Sequence, residues 1–172
     1  WLRLTCIVAI LTLDAPSNDM LRVTRNSKLI AFVNRSKQIL NDTLSGNESA
    51  VAEAIDKIRE ENYAPMFYNN EQALRSTVKL AYIAAVENYI KIEELPSGKG
   101  VADIVYIPQK RSPYPAMIVE LKKGHSAEEA VDQIKENDYL HKVSEYTGDV
   151  LLVGINYDEK KEYTCIIEKI TK

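Results

Sequence analysis

Cysteine is scarce: Cys6 and Cys165 are the only two in 172 residues, each inside an apolar run rather than in a ligand-spaced pair. That excludes a disulfide scaffold, argues against a zinc site, and predicts buried thiols in a reducing compartment. Histidine is as scarce. His125 and His141 stand sixteen positions apart, one by a turn and one at a predicted helix end, which argues against a metal-binding pair. Long hydrophobic runs are missing too: the longest, "WLRLTCIVAILTL" at residues 1–13, falls short of the roughly 18 apolar residues of a spanning helix. It has neither a basic lead nor a small-residue cleavage pattern, so it is not read as a signal peptide, and the chain reads as cytoplasmic. Excess positive charge is also missing. With 22 Lys plus Arg against 25 Asp plus Glu, the net charge is −3, so any nucleic-acid role must rest on a local basic patch. The sequence begins without Met, and the expectation is a C-terminal piece of something longer.

What is present suits a globular domain. Hydrophobic residues make up 45% and charged residues 27%, enough for a core at this length. Residues 1–43 are hard to place: an apolar run, a "DAPSND" turn cluster, then a weak helical pattern through Leu29, Ile30, Phe32, Val33, Ile39 and Leu40. Behind the candidate caps Ser45 and Asn47, the spacing of Val51, Ala54, Ile55 and Ile58 predicts a helix over 47–61. A second helix is expected from Glu71 to Tyr89, with Leu74, Val78, Ala81, Tyr82, Ala85 and Val86 as its apolar stripe and Asn69 or Asn70 as cap. Three strand-like runs follow, "YIKIEEL", "VADIVYIP" and "PAMIVELKK", joined by turn chemistry, which predicts an antiparallel meander. Ser126 and Glu129 form a capping box for a helix running to about His141. "VLLVGINY", apolar on both sides, should be a central strand, and "EYTCIIEKI" another. The predicted class is α/β.

The run "AMIVELKK" raises a chemical question. Successive strand residues face opposite ways, so Ile118, Glu120 and Lys122 share a face that changes from apolar to charged. Asp103 makes a similar change in the preceding strand, just after the Gly98–Gly100 turn. If the two strands pair, Asp103 and Glu120 converge, and two carboxylates held close require a cation or a proton between them. Hard oxygen ligands suit Mg²⁺ or Mn²⁺. A neighbouring Lys122 can then orient a nucleophilic water and offset phosphoryl charge. Together they describe metal-assisted phosphodiester hydrolysis.

Asp103 followed by Glu120-Leu121-Lys122, on successive strands between two helices, resembles the PD-(D/E)XK, or restriction-endonuclease-like, nuclease superfamily over about residues 69–170. "AVDQIKENDY" places Gln133 and Tyr139 where one branch carries a helical Gln-Ile-(four residues)-Tyr signature. "NNEQALRS", "GKGVADIVYIP", "IVELK" and "LLVGINYD" look like the C-terminal nuclease-like domain of bacterial AAA-ATPase-like proteins. The resemblance implies an αβββαββ core with extra N-terminal helices, residues 44–172 as nuclease-like domain, and 1–43 as the tail of an ATPase-like part. It implies Asp103 and Glu120 as metal ligands for Mg²⁺ or Mn²⁺, Lys122 positioning the water, Gln133 supporting the site, and DNA as substrate. Glu71 is either a further metal contact or a favourable charge at a helix start. Ala102 stands where the superfamily is named for Pro. Lys99, Lys110, Arg111, Lys122, Lys123 and Lys135 are expected near the active end or its connecting turns, with Lys99, Lys123 and Lys135 as nucleic-acid contacts. Tyr139 is assigned to packing and His125 to the surface. The competing reading is a nuclease-like binding or regulatory module without activity.

Overall fold

β-Branched and aromatic residues cluster in short runs in the second half of the chain, and five strands form there in the computed structural model. It describes residues 19–62, 71–97, 100–110, 112–137, 139, 143, 148–157 and 163–171, with side chains in helices and strands from Ser27 onward except 62, 71–73, 95–97 and 100–102. The elements are α1 (Asp19–Leu44), α2 (Glu48–Asn62), α3 (Glu71–Ala81), a 3-10 helix (Ile83–Glu87), β1 (Tyr89–Ser97), β2 (Gly100–Pro108), β3 (Ala116–Lys123), α4 (Ala127–Glu136), β4 (Val150–Tyr157) and β5 (Tyr163–Ile170). The chain divides into two units at Asn34, and every contact described here lies within 34–172. Among the described residues no helix is long and apolar enough to cross a membrane.

The strands lie in sequence order, β1-β2-β3-β4-β5. The expected meander is present: β1 pairs with β2, and β2 with β3, antiparallel. β3 and β4 run parallel and so need a crossover, which α4 provides, while β5 returns antiparallel along β4. Every residue of β4 is buried, Asn156 included, as its apolar run Val150–Ile155 predicts for an interior strand. One side of the sheet, with Val105, Ala116, Ile118, Val150 and Leu152, packs against Val131 and Ile134 of α4 together with Tyr139 and Val143. On the other side Tyr106 meets the Tyr82 ring, 5.8 Å between centroids.

The structure corrects two expected helix boundaries. The helix from Glu71 does not run to Tyr89: α3 stops at Ala81, a 3-10 turn follows, and Tyr89 opens β1. Ser36 accounts for the break. Its hydroxyl donates to the Ala81 carbonyl at 2.7 Å and accepts the Ala84 N–H at 2.9 Å, while Ala85 N–H turns back to Tyr82 at 3.0 Å. Val86, assigned to the apolar stripe, is therefore exposed. α4 likewise ends at Glu136 rather than near His141, which lies outside the described residues. Asn69, Asn70 and Cys6 also lie outside them. Cys165 is buried as expected, its thiol pushed up to about 12 by burial and by the nearby Glu48 charge.

Candidate active site

Asp103 and Glu120 are buried, 8% and 3% exposed. Register brings them together: Tyr106, Val105 and Ile104 pair with Met117, Ile118 and Val119, so the next step along sets Asp103 opposite Glu120. Side-chain oxygens bind the facing backbone at this level. The Leu121 N–H donates to Asp103 Oδ2 at 2.9 Å, and the Asp103 N–H points to Glu120 Oε2 at 3.4 Å. Each carboxylate is thereby fixed by the neighbouring strand. Burial, and then the Asp103 charge, push the Glu120 carboxyl up to about 8, against the opposing pull of the Asp103 backbone, Lys122 and Gln133.

α4 brings in Gln133. Its amide nitrogen donates to Glu120 Oε1 and its amide oxygen accepts from Lys122 Nζ, so one side chain bridges acid and base. Ser126 starts this helix, its hydroxyl accepting the Glu129 N–H at 3.1 Å. The expected reciprocal arm of the capping box is diverted, because the Glu129 carboxylate meets His125 Nδ1 at 3.0 Å. The close approach of α4 to the sheet depends on Gly154, which lies level with Glu120 in the β3–β4 register. A Cβ there would run into the Ala127 carbonyl and lie 2.9 Å from Val131 Cγ2.

Arg75 of α3 closes the other side. Its Nη2 donates to Asp103 Oδ1 at 2.6 Å and its Nη1 to Glu94 Oε1 at 2.8 Å. Glu94 has φ +54°, the one positive value at a non-glycine residue among those described, in a region where side chains are rarely accommodated. Arg75, Glu94, Asp103, Glu120, Lys122 and Gln133 line a cleft of about 390 Å³.

The cleft thus unites four of the predicted residues, Asp103, Glu120, Lys122 and Gln133. The remaining basic candidates are scattered. Lys123 is exposed at the end of β3. Lys135 lies over β5, with Glu168 at 2.8 Å and Asp132 at 3.8 Å. Lys110 follows Pro108, seven positions beyond Asp103, on the connection between β2 and β3. Lys99 and Arg111 lie outside the described residues. Glu71 is the first residue of α3, with its side chain outside those described. Tyr139 is buried in the α4-side core, its hydroxyl accepting from Asn137 Nδ2 at 3.1 Å. His125 is exposed. Sequence reasoning missed Arg75 and Glu94. The available signal was the buried Asp103 itself, since a buried carboxylate demands a counter-charge.

The donor set fits a hard divalent cation. Two carboxylates share one cleft, one of them pushed toward its protonated form by burial and then by the other, and Mg²⁺ needs only one or two such ligands besides water and phosphate oxygen. Among the described residues no group of three or more His, Cys, Asp or Glu side chains is arranged to hold a metal ion, so the chain's described contribution is this pair.

Among the described residues a mixed five-stranded sheet with four α-helices, carrying acids on adjacent strands and a β3-α4-β4 crossover, defines an α/β protein of restriction-endonuclease-like fold. The sequence profile of the PD-(D/E)XK nuclease superfamily matches residues 69–167, and the chain belongs to that superfamily. The match takes in all four predicted residues of the cleft. Superfamily membership implies nucleic-acid binding, and its nucleases generally use divalent metals. Comparison with curated proteins gives no match.

Proposed function

We propose that the chain is a divalent-metal-dependent nuclease that hydrolyses phosphodiester bonds, with DNA as substrate. The observation that carries this reading is the cross-strand fixing of Asp103 and Glu120 in one cleft with Lys122, with Gln133 joining Glu120 to the lysine. Asp103 and Glu120 would hold Mg²⁺ or Mn²⁺. When bound, the cation supplies Lewis-acid polarisation of a phosphoryl oxygen and an acidified water. Lys122 carries three donors, one directed to Gln133, so the others can orient the attacking water and meet a developing negative charge on phosphate. Gln133 holds the ammonium and the Glu120 carboxylate at fixed separation, which is the preorganisation that electrostatic catalysis needs.

The test is cleavage of plasmid and linear DNA, and of RNA, with Mg²⁺ or Mn²⁺ against EDTA, with Asp103→Asn and Glu120→Gln as controls. Cleavage that needs the cation and both acids supports the reading. Metal-independent cleavage, or cleavage that survives both substitutions, overturns it.

A second reading is favoured by the 2.6 Å Arg75–Asp103 ion pair, which satisfies with a guanidinium the charge a metal would neutralise. On that reading the cleft is a nuclease-like binding or regulatory module, and the likeness to AAA-ATPase-associated domains supplies its setting. Thermal denaturation with and without Mg²⁺ separates the two. A cation-induced rise in melting temperature that Asp103→Asn abolishes supports the enzyme; no rise in the wild type supports the module.

A further inference from the structure

Arg75 holds two acids with two different nitrogens: Nη1 contacts Glu94 at 2.8 Å and Nη2 contacts Asp103 at 2.6 Å. The two carboxylates differ in setting. The Asp103 side chain is 10% exposed, while that of Glu94 is 67% exposed at the rim. A cation on Asp103 would neutralise the charge that draws Nη2 inward and would repel the guanidinium, whereas Glu94 would keep its hold on Nη1. We propose that Arg75 is the phosphate-gripping residue of this cleft, its Nη2 exchanging the Asp103 carboxylate for a phosphodiester oxygen when a divalent cation takes Asp103. The proposal rests on the nuclease reading and adds to it the group that recognises the substrate's charge.

The geometry suits such an exchange. A guanidinium is a planar fork that grips a phosphate oxygen as well as a carboxylate oxygen, so little is reorganised beyond the partner of one nitrogen. Arg75 and Lys122 both line the cleft, with Asp103 and Glu120, so a scissile phosphate lying over the acids would meet a cation from α3 and another from β3. Arg75 is a binding residue in this scheme, and Lys122 remains the group beside the water.

Two measurements test it on the full chain, with wild type, Arg75→Ala and Arg75→Lys. Calorimetric titration with Mg²⁺ alone should show tighter binding in Arg75→Ala, by about threefold or more, because a competitor for Asp103 has been removed. Anisotropy with a labelled DNA duplex, using Ca²⁺ to slow turnover, should show affinity reduced about tenfold in Arg75→Ala, the scale of one lost charge-assisted contact. Arg75→Lys keeps the charge but cannot serve rim and phosphate at once, so it should fold and fall between the two, which covers the case where alanine does not fold. Mg²⁺ binding weakened in both variants would make Arg75 a mere support for Asp103 and overturn the proposal, as would unchanged duplex affinity. If the wild type itself binds no Mg²⁺, the nuclease reading falls with it; if it binds and only the variants behave as wild type, the Arg75 proposal alone falls.

Discussion

The Lys122 ammonium hydrogen-bonds the protein through Gln133, at the half-buried end of β3, so removing it unpairs an amide and withdraws a lesser electrostatic pull on Glu120. Lys122→Ala should therefore cost about 1 kcal/mol or less of stability, a change of about 2–4 °C in melting temperature. Turnover should fall about hundredfold or more, the scale of removing one group that stabilises a transition state. Melting curves and single-turnover cleavage on the same preparation check this; a variant that keeps the full rate would remove Lys122 from the chemistry. Glu120 makes a separate prediction. Its folded carboxyl holds a proton up to about 8, whereas an unperturbed one releases it near 4.5. Between those values the folded state binds more protons, so stability present below the lower value is lost as pH rises toward the upper one. The slope should approach, at most, about 1.4 kcal/mol per pH unit. Glu93, held down to about 2 by Lys79 and Lys91, titrates below this window and does not obscure it. Melting temperature in EDTA should fall from pH 5 to pH 8 in the wild type and stay nearly flat in Glu120→Gln, and a flat wild-type curve would mean that Glu120 is already ionised there.

The distance between α4 and the sheet is set by glycine. Gly154→Ala would press a methyl into the Ala127 carbonyl, in the first turn of α4, so the helix must retreat or β4 must bend. Overpacking of this kind costs about 1–3 kcal/mol, and retreat would draw Gln133 away from Glu120 and Lys122. The denaturant midpoint should drop and cleavage should fall further than the folded fraction explains; a neutral outcome on both would mean that α4 has slack. Gly154 shows what was and was not legible in the sequence. Strands β1 to β5 were readable because alternation and β-branched runs report a local period, and Asp103, Glu120 and Lys122 followed from acids and an amine interrupting it, whereas Gln133 followed only from the resemblance to the superfamily's helical signature. The end of α3 was not readable, because Ser36, 45 positions from Ala81, supplies the hydrogen bonds that stop it. Arg75 stayed hidden for the same reason, its meaning depending on Asp103, 28 positions away; Glu94 falls level with Asp103 in the β1–β2 register, but its role comes from that arginine, 19 positions away. α1 escaped detection as one long helix because the apolar residues of Asp19–Leu44 gather on no single face.

Taken whole, the molecule carries a net charge of −3, a poor match for a polyanion, and among the described residues the cations at the cleft are few: Arg75 and Lys122 line it, and Lys123 follows on the same strand. Lys135, committed to Glu168, contributes little there. Two or three phosphate contacts predict a shallow salt dependence, a slope of about −2 to −3 in log affinity against log salt for duplex DNA. The divalent cation then becomes the decisive counter-charge, because without it a phosphate would approach Glu120, Asp103 and Glu94 together. Duplex affinity should therefore fall about tenfold or more when EDTA replaces Ca²⁺ at constant ionic strength, a larger loss than any single surface lysine substitution produces. Anisotropy titrations across a salt series, with and without Ca²⁺, measure both quantities. A slope steeper than about −6 that ignores the divalent ion would mean that nucleic acid binds a basic surface elsewhere on the chain, and the cleft would have to receive its substrate from there.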